Sequence, residues 1–219
     1  PCVEAAIKGV VGDKSAPREL RASIMRQVGQ KGMDDVDWLA RVARGEGLDL
    51  PSDPKAEISQ EEFGIILNAQ RALGKSANPK AVEILIGLVE KNPSNSLLIQ
   101  ALGKKKDPRA IPVLINVLKN GSRSNLSRHD AAGALGELIA TEAVEPLIDV
   151  MQNESDESLV MTAAVALGKI GDKKALPALE KMVANLKNDP RFSDAEWRLA
   201  KEGHGYIAPI QRALEQLKR

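Results

Sequence analysis

The sequence predicts an all-α fold, an α/α superhelix of about six two-helix repeats, and three observations carry that prediction. The tripeptide Ala-Leu-Gly recurs at Ala72-Leu73-Gly74, Ala101-Leu102-Gly103, Ala134-Leu135-Gly136 and Ala166-Leu167-Gly168, at intervals of 29, 33 and 32 residues. Nine positions after each leading alanine stands another alanine (Ala81, Ala110, Ala143, Ala175), followed by a branched aliphatic residue (Val82, Ile111, Val144, Leu176) and, three further on, a leucine (Leu85, Leu114, Leu147, Leu179). Apolar residues around both landmarks recur at helical spacing, as in Ile111, Leu114, Ile115 and Leu118.

Along the chain, Gln27-Val28-Gly29 followed by Val36, Leu39, Val42 and Ala43 fits the same template with one residue deleted, so the N-terminal region is expected to be a worn repeat. Between Arg44 and Glu57 the pattern stops, and Gly45, Gly47, Pro51, Ser52, Asp53 and Pro54 predict an exposed loop before Ser59-Gln60-Glu61-Glu62 restarts a helix. Asn78-Pro79 and Asp107-Pro108 each pair an N-cap side chain with a proline at the first helical position, where a missing N–H costs nothing. The glycine of each Ala-Leu-Gly falls near a helix end, where it either adopts a left-handed backbone or lets a neighbouring helix approach closely. Ser193 to Glu196 form a capping-box pattern before Trp197 and Leu199, and Ile207, Ile210, Leu214 and Leu217 mark one further amphipathic helix. The organisation expected is one domain over residues 1–219, with a degenerate repeat and loop (1–58), regular repeats (59–186) and C-terminal capping helices (187–219).

Hydrophobic residues make up 43% of the chain but only five are aromatic (two Phe, two Trp and one Tyr), so the core is expected to be built from Ala, Leu, Ile and Val in closely packed helices. With 31 basic and 30 acidic side chains there is no global field to steer a polyanion, and no specific nucleic-acid partner is expected. No apolar stretch approaches the roughly 20 residues that cross a bilayer. Pro1 fits removal of an initiator Met, cleavage of a signal peptide or excision from a longer chain. The compartment therefore stays open, with a cytoplasmic location favoured over an exported or periplasmic one. Cys2 has no second cysteine to pair with.

The segments Arg128-His129-Asp130-Ala131-Ala132-Gly133-Ala134-Leu135-Gly136, Thr162-Ala163-Ala164-Val165-Ala166-Leu167-Gly168 and Asp107-Pro108-Arg109-Ala110-Ile111-Pro112-Val113-Leu114 resemble the HEAT repeat family, and within it the bacterial HEAT-like repeats first named for phycobilisome (PBS) lyases. The resemblance implies that the helix ending in Ala-Leu-Gly lines a concave side and that the helix after the following turn lies on the convex side. A single repeat cannot bury its apolar faces, so stacked neighbours build one long core and an extended surface suited to binding.

Catalysis needs a poised nucleophile, base, metal set or phosphate cradle, and little here could build one. His129 and His204 stand far apart and outside any metal-ligand spacing. HEAT-fold hydroxylases bind iron through several His-Glu pairs, and none occurs in this sequence, so that class is set aside. The expectation is a chain that is not an enzyme, with no cofactor and no metal. Its partner would be another protein or a multisubunit complex. The alternative is a subunit of a phycobilin or tetrapyrrole lyase or of a cofactor-maturation enzyme, which the aromatic poverty opposes; HEAT-like DNA glycosylases need a basic, aromatic-bearing concave face, whereas Trp38 and Trp197 fall in terminal repeats.

Helix positions one, four and five before each Ala-Leu-Gly define the concave row: Leu67, Asn68 and Arg71; Ser96, Leu97 and Gln100; His129, Asp130 and Gly133; and Met161, Thr162 and Val165, of which all but Ser96 and Gly133 are the candidate partner-binding residues. Apolar groups among polar ones suit a protein-binding groove, although a shift of one residue rotates a helix face by about 100° and would place some of them in the core. A second candidate surface is a basic edge, Lys104, Lys105, Lys106 and Arg109, on the same side as Lys75, Lys169, Lys173 and Lys174. Glu154, Asp156 and Glu157 form an acidic turn on the opposite edge. The apolar residues of the first and last helices, Val3, Ala6, Ile7, Val10, Val11, Leu214 and Leu217, give a route to self-assembly through the ends of the array.

Overall fold

The structure, a computed structural model, describes residues 2–52, 56–120, 125–189 and 207–218. Among the described residues it contains twelve α-helices and no strand, an all-α solenoid. The helices are α1 (Cys2–Gly12), α2 (Arg18–Lys31), α3 (Val36–Ala43), α4 (Gln60–Lys75), α5 (Lys80–Lys91), α6 (Ser96–Lys105), α7 (Ile111–Asn120), α8 (Asn125–Glu137), α9 (Val144–Asn153), α10 (Glu157–Ile170), α11 (Leu176–Lys187) and α12 (Ala208–Lys218). Their contacts group into two compact units, residues 1–91 and 92–219. The predicted cap Ser193 to Glu196, Trp197, Leu199, His204, Asp53 and Pro54 lie outside the described residues.

In the C-terminal unit α6, α8, α10 and α12 pack side by side in succession, while α7, α9 and α11 each pack against a member of that row and form a second layer. The Ala-Leu-Gly motifs explain the first layer. None of Gly103, Gly136 and Gly168 has a positive φ, and all three lie within helices. A Cβ on Gly103 would stand 2.7 Å from Ala134 Cβ, one on Gly136 2.9 Å from Ala166 Cα, and one on Gly168 2.6 Å from Ala213 Cα. Of the two roles open to these glycines, close approach is therefore the one the fold uses. The receiving residue is the alanine of the next motif: Ala134, then Ala166, then Ala213 in Ala213-Leu214-Glu215, which keeps the alanine but carries an exposed glutamate in place of the glycine. Leu102, Leu135 and Leu167 are fully buried between the layers.

Aspartates begin two of the second-layer helices, α7 and α11. Asp107 accepts the Arg109 N–H at 3.0 Å and Asp172 accepts the Lys174 N–H at 2.9 Å. Each opens a short 3-10 turn, Pro108–Ala110 or Lys173–Ala175, that runs into α7 or α11. The turn of the acidic edge is also largely structural: Asp156 caps α10 by accepting the Ser158 and Leu159 N–H groups, and Glu154 pairs with Arg128.

In the N-terminal unit α2 lies along α4, and the worn motif Gln27-Val28-Gly29 keeps its packing function, because a Cβ on Gly29 would stand 2.7 Å from Asn68 Oδ1. Ser59 caps α4 by accepting the Glu62 N–H at 3.2 Å, but Glu62 does not return to Ser59 as a capping box would. Its carboxylate instead meets Arg21 Nη2 at 2.6 Å, with side chains 1% and 0% exposed. The predicted loop after α3 is only partly exposed: Gly45 and Leu48 are buried, and positive φ angles of 80° and 82° at Gly45 and Gly47 let the chain turn back onto the helices.

Two stability predictions follow from this packing. Gly136→Val drives branched atoms into the backbone of α10 and is expected to lower unfolding free energy by about 2 kcal/mol in urea titration, despite valine's better helix propensity. Arg21→Met alone strands a buried carboxylate and is expected to cost about 3–5 kcal/mol, whereas the double change Arg21→Met with Glu62→Leu should recover most of that loss in the same titration.

Candidate partner-binding surface

The predicted row divides when its side chains are placed. In the N-terminal unit Leu67 is half-buried and Arg71 exposed, while Asn68 is 8% exposed, turned into the α2–α4 contact with its amide donating to the Gly64 carbonyl at 2.7 Å. A polar residue in the helix register was not enough to place Asn68 on the surface. In the C-terminal unit Leu97, Met161 and Val165 are half-buried.

Gln100, His129, Asp130 and Thr162 do come together, along the exposed side of α6, α8 and α10. They surround a recess of about 550 Å³ that is also lined by Lys104, Lys106 and Glu137. Gly103, Gly133 and Ala134 also line it: Gly103 and Ala134 are buried against each other, and outward-facing Gly133 has no side chain to fill the space. Gly133 differs from the packing glycines: a Cβ on it would meet no atom within 4 Å. The helix register placed both the polar lining and Gly133 on this row; that the glycine opens a recess there is decided by the fold.

The polar groups around the recess are mostly spent on one another. Asp130 accepts from Ser96 Oγ on one oxygen and from Gln100 Nε2 at 3.1 Å on the other, tying α8 to α6. Thr162 Oγ1 donates to the Ser158 carbonyl at 3.0 Å and lies 2.6 Å from His129 Nε2, a hydrogen bond that ties α8 to α10. Lys169 pairs with Glu137 across the same helices, and that hydrogen bond holds the Glu137 carboxyl below the usual carboxylate range. Among the described residues neither Lys104 nor Lys106 is in an ion pair, although the Lys106 charge acts on the Glu137 carboxyl.

The basic edge is accordingly narrower than the sequence suggested. Lys105 is half-buried, and burial lowers its pKa. Arg109 is engaged by Asp107, Nε to Oδ1 at 3.0 Å and Nη2 to Oδ2 at 2.7 Å, and this pairing depresses the Asp107 carboxyl. Lys104 and Lys106 are the members that face the recess.

Two further hollows lie in the N-terminal unit. One of about 250 Å³ is lined by Val11, Trp38, Arg41, Val42, Glu46 and Leu48, with Gly12 and Gly47. The other, about 370 Å³, is an open apolar groove along α1 formed by Cys2, Val3, Ala6, Ile7 and Val10 with Ile24 of α2. Among the described residues no group of three or more His, Cys, Asp and Glu is placed to hold a metal, and no helix is long and apolar enough to cross a membrane.

Residues 121–200 match the family described as HEAT repeats, and residues 98–120 match the PBS lyase HEAT-like repeat. A deoxyhypusine hydroxylase from Candida albicans is 40% identical over 68 residues, 31% of this chain; the aligned part is 20% of the hydroxylase's length. An engineered protein of known structure superimposes with a TM-score of 0.50 at 18% identity, covering 97% of this chain and 96% of the other, a likeness of fold alone. The complex of CpcE and CpcF of phycocyanin lyase from Nostoc sp. PCC7120 matches with a TM-score of 0.41 at 20% identity, over 96% of this chain and 93% of that one. The hydroxylase similarity corrects the expectation that this chain is not an enzyme. The sequence has no His-Glu pair, yet a protein of that name is 40% identical to it over 68 residues. Packing positions are what repeats share, so the missing ligand set did not exclude the relationship.

Proposed function

Because this chain belongs to the HEAT-repeat family, with repeats of the PBS-lyase type, we propose that it serves as a protein-binding scaffold or assembly subunit whose docking surface is the row of α6, α8 and α10. The observation that carries the reading is the recess over Gly103, Gly133 and Ala134. Its walls are tied into the fold by Asp130, His129 and Glu137, so they offer a preformed shape, with little side-chain freedom to lose when a partner docks. Lys104 and Lys106 add charge at the rim.

The reading concerns a surface and applies equally to a subunit of a catalytic assembly, which is the form in which the similarity to a hydroxylase enters it. The tetrapyrrole-lyase alternative has no feature of the recess in its favour, since among the described residues no Phe, Tyr or Trp lines it.

Gly133→Leu tests the proposal. The new side chain enters open space, so stability is expected to hold or rise by about 0.5–1 kcal/mol as a helical glycine is replaced. Affinity capture from native extract, with mass spectrometry and visible absorbance of the eluate, should yield a stoichiometric protein partner for the natural chain and lose it for Gly133→Leu. Retention of the same partner by that variant would move the docking surface elsewhere, and a coloured eluate would favour the lyase reading.

A further inference from the structure

The turns that follow α6, α8 and α10 are equivalent, and in each the third residue after the packing glycine is left-handed: Lys106 at φ 52°, Ile139 at φ 52° and Gly171 at φ 76°. Glycine takes this conformation freely, as in the last turn; a β-branched side chain is the least suited to it. Ile139 is also 60% exposed. The turn itself does not need it. The Ala140 N–H donates to the Leu135 carbonyl at 3.1 Å and the Ile139 N–H to the Gly136 carbonyl at 3.2 Å, a Schellman closure that glycine would make with less strain. The apolar residue that seals the closure is Ala140, 1% exposed. Ile139 thus carries two costs, backbone strain and apolar exposure, at a position where glycine would serve the turn; strain of this kind collects at functional positions.

Its surroundings indicate what would cover it. Ile139 is two residues from Glu137, which lines the recess, and the Lys106 charge is close enough to act on the Glu137 carboxyl. The carboxylates at the recess are already held, Asp130 by Ser96 and Gln100 and Glu137 by Lys169, while among the described residues Lys104 and Lys106 form no ion pair. The following turn adds exposed Lys173 and Lys174.

We propose that this edge of the C-terminal unit docks an acidic segment of another protein, with its carboxylates on Lys104 and Lys106 and an apolar side chain packed on Ile139. The assignment rests on the protein-binding reading and specifies the partner's chemistry.

The test uses the full chain on an array of synthetic twelve-residue peptides that carry zero, two or four glutamates, or lysines in their place, among varied aliphatic residues. Retention is expected to rise with glutamate content and to need an aliphatic residue, and affinity for the best peptide, read by fluorescence anisotropy, should weaken with salt. Ile139→Gly should raise the thermal midpoint, by relieving the strained turn, and weaken that affinity at least about tenfold; Lys104→Glu with Lys106→Glu should weaken it similarly at unchanged midpoint. Unchanged affinity in Ile139→Gly, or a lowered midpoint, would overturn the assignment by making Ile139 a spectator or a folding residue. Peptides retained without regard to charge but lost in Gly133→Leu would overturn the acidic partner and leave the protein-binding reading standing. No retained peptide, together with no captured partner, would remove both.

Discussion

Successive first-layer helices of the C-terminal unit touch backbone to backbone, glycine against alanine, and the other features of that unit depend on this contact. Gly103 meets Ala134, Gly136 meets Ala166 and Gly168 meets Ala213, leaving no room for even a methyl group on the glycine side. Helices held this close bring short polar side chains within hydrogen-bonding reach across the gap. Ser96 and Gln100 reach Asp130, and Thr162 reaches His129. In α12 the same position carries Glu215, so Ala213 receives a glycine but its own helix has no matching notch to offer.

The same small residues shape the surface. Ala134 and Gly103 belong to the packing contact, and Gly133 beside them faces outward, so the recess is the outer side of the feature that sets helix spacing. Polar residues around it serve both purposes: hydrogen bonds between helices hold its walls, and what those bonds leave unspent, two lysines and an exposed isoleucine, is what a partner would meet. The N-terminal unit solves its own helix contact differently, with the buried Arg21–Glu62 pair between α2 and α4 and a glycine–asparagine contact further along. An ion pair so deeply buried costs more desolvation than an apolar contact of equal size, and in return ties two particular residues together.

Fold and chemistry sit on different residues in such an array. Leu102, Leu135, Leu167 and the motif glycines satisfy packing demands common to many repeats, and similarity between proteins will register first at such positions. The kinship with a hydroxylase over 68 residues coexists with a chain that has two histidines and no His-Glu pair.

By itself the sequence determined the helical class, the repeat and its register, because burial at a period of 3.6 residues and the demand for a small residue at each close contact are local, repeated constraints that leave a visible pattern. It also identified Gln100, His129, Asp130 and Thr162 as neighbours on one helix row. Only the tertiary structure decided which of two roles the motif glycines play, that Asn68 turns inward, that Lys105 and Arg109 are engaged while Lys104 and Lys106 are left over, and that Ile139 stands strained and exposed. Each of those outcomes depends on which atom lies across the gap between two helices, and one strand of sequence does not contain the other side of that gap.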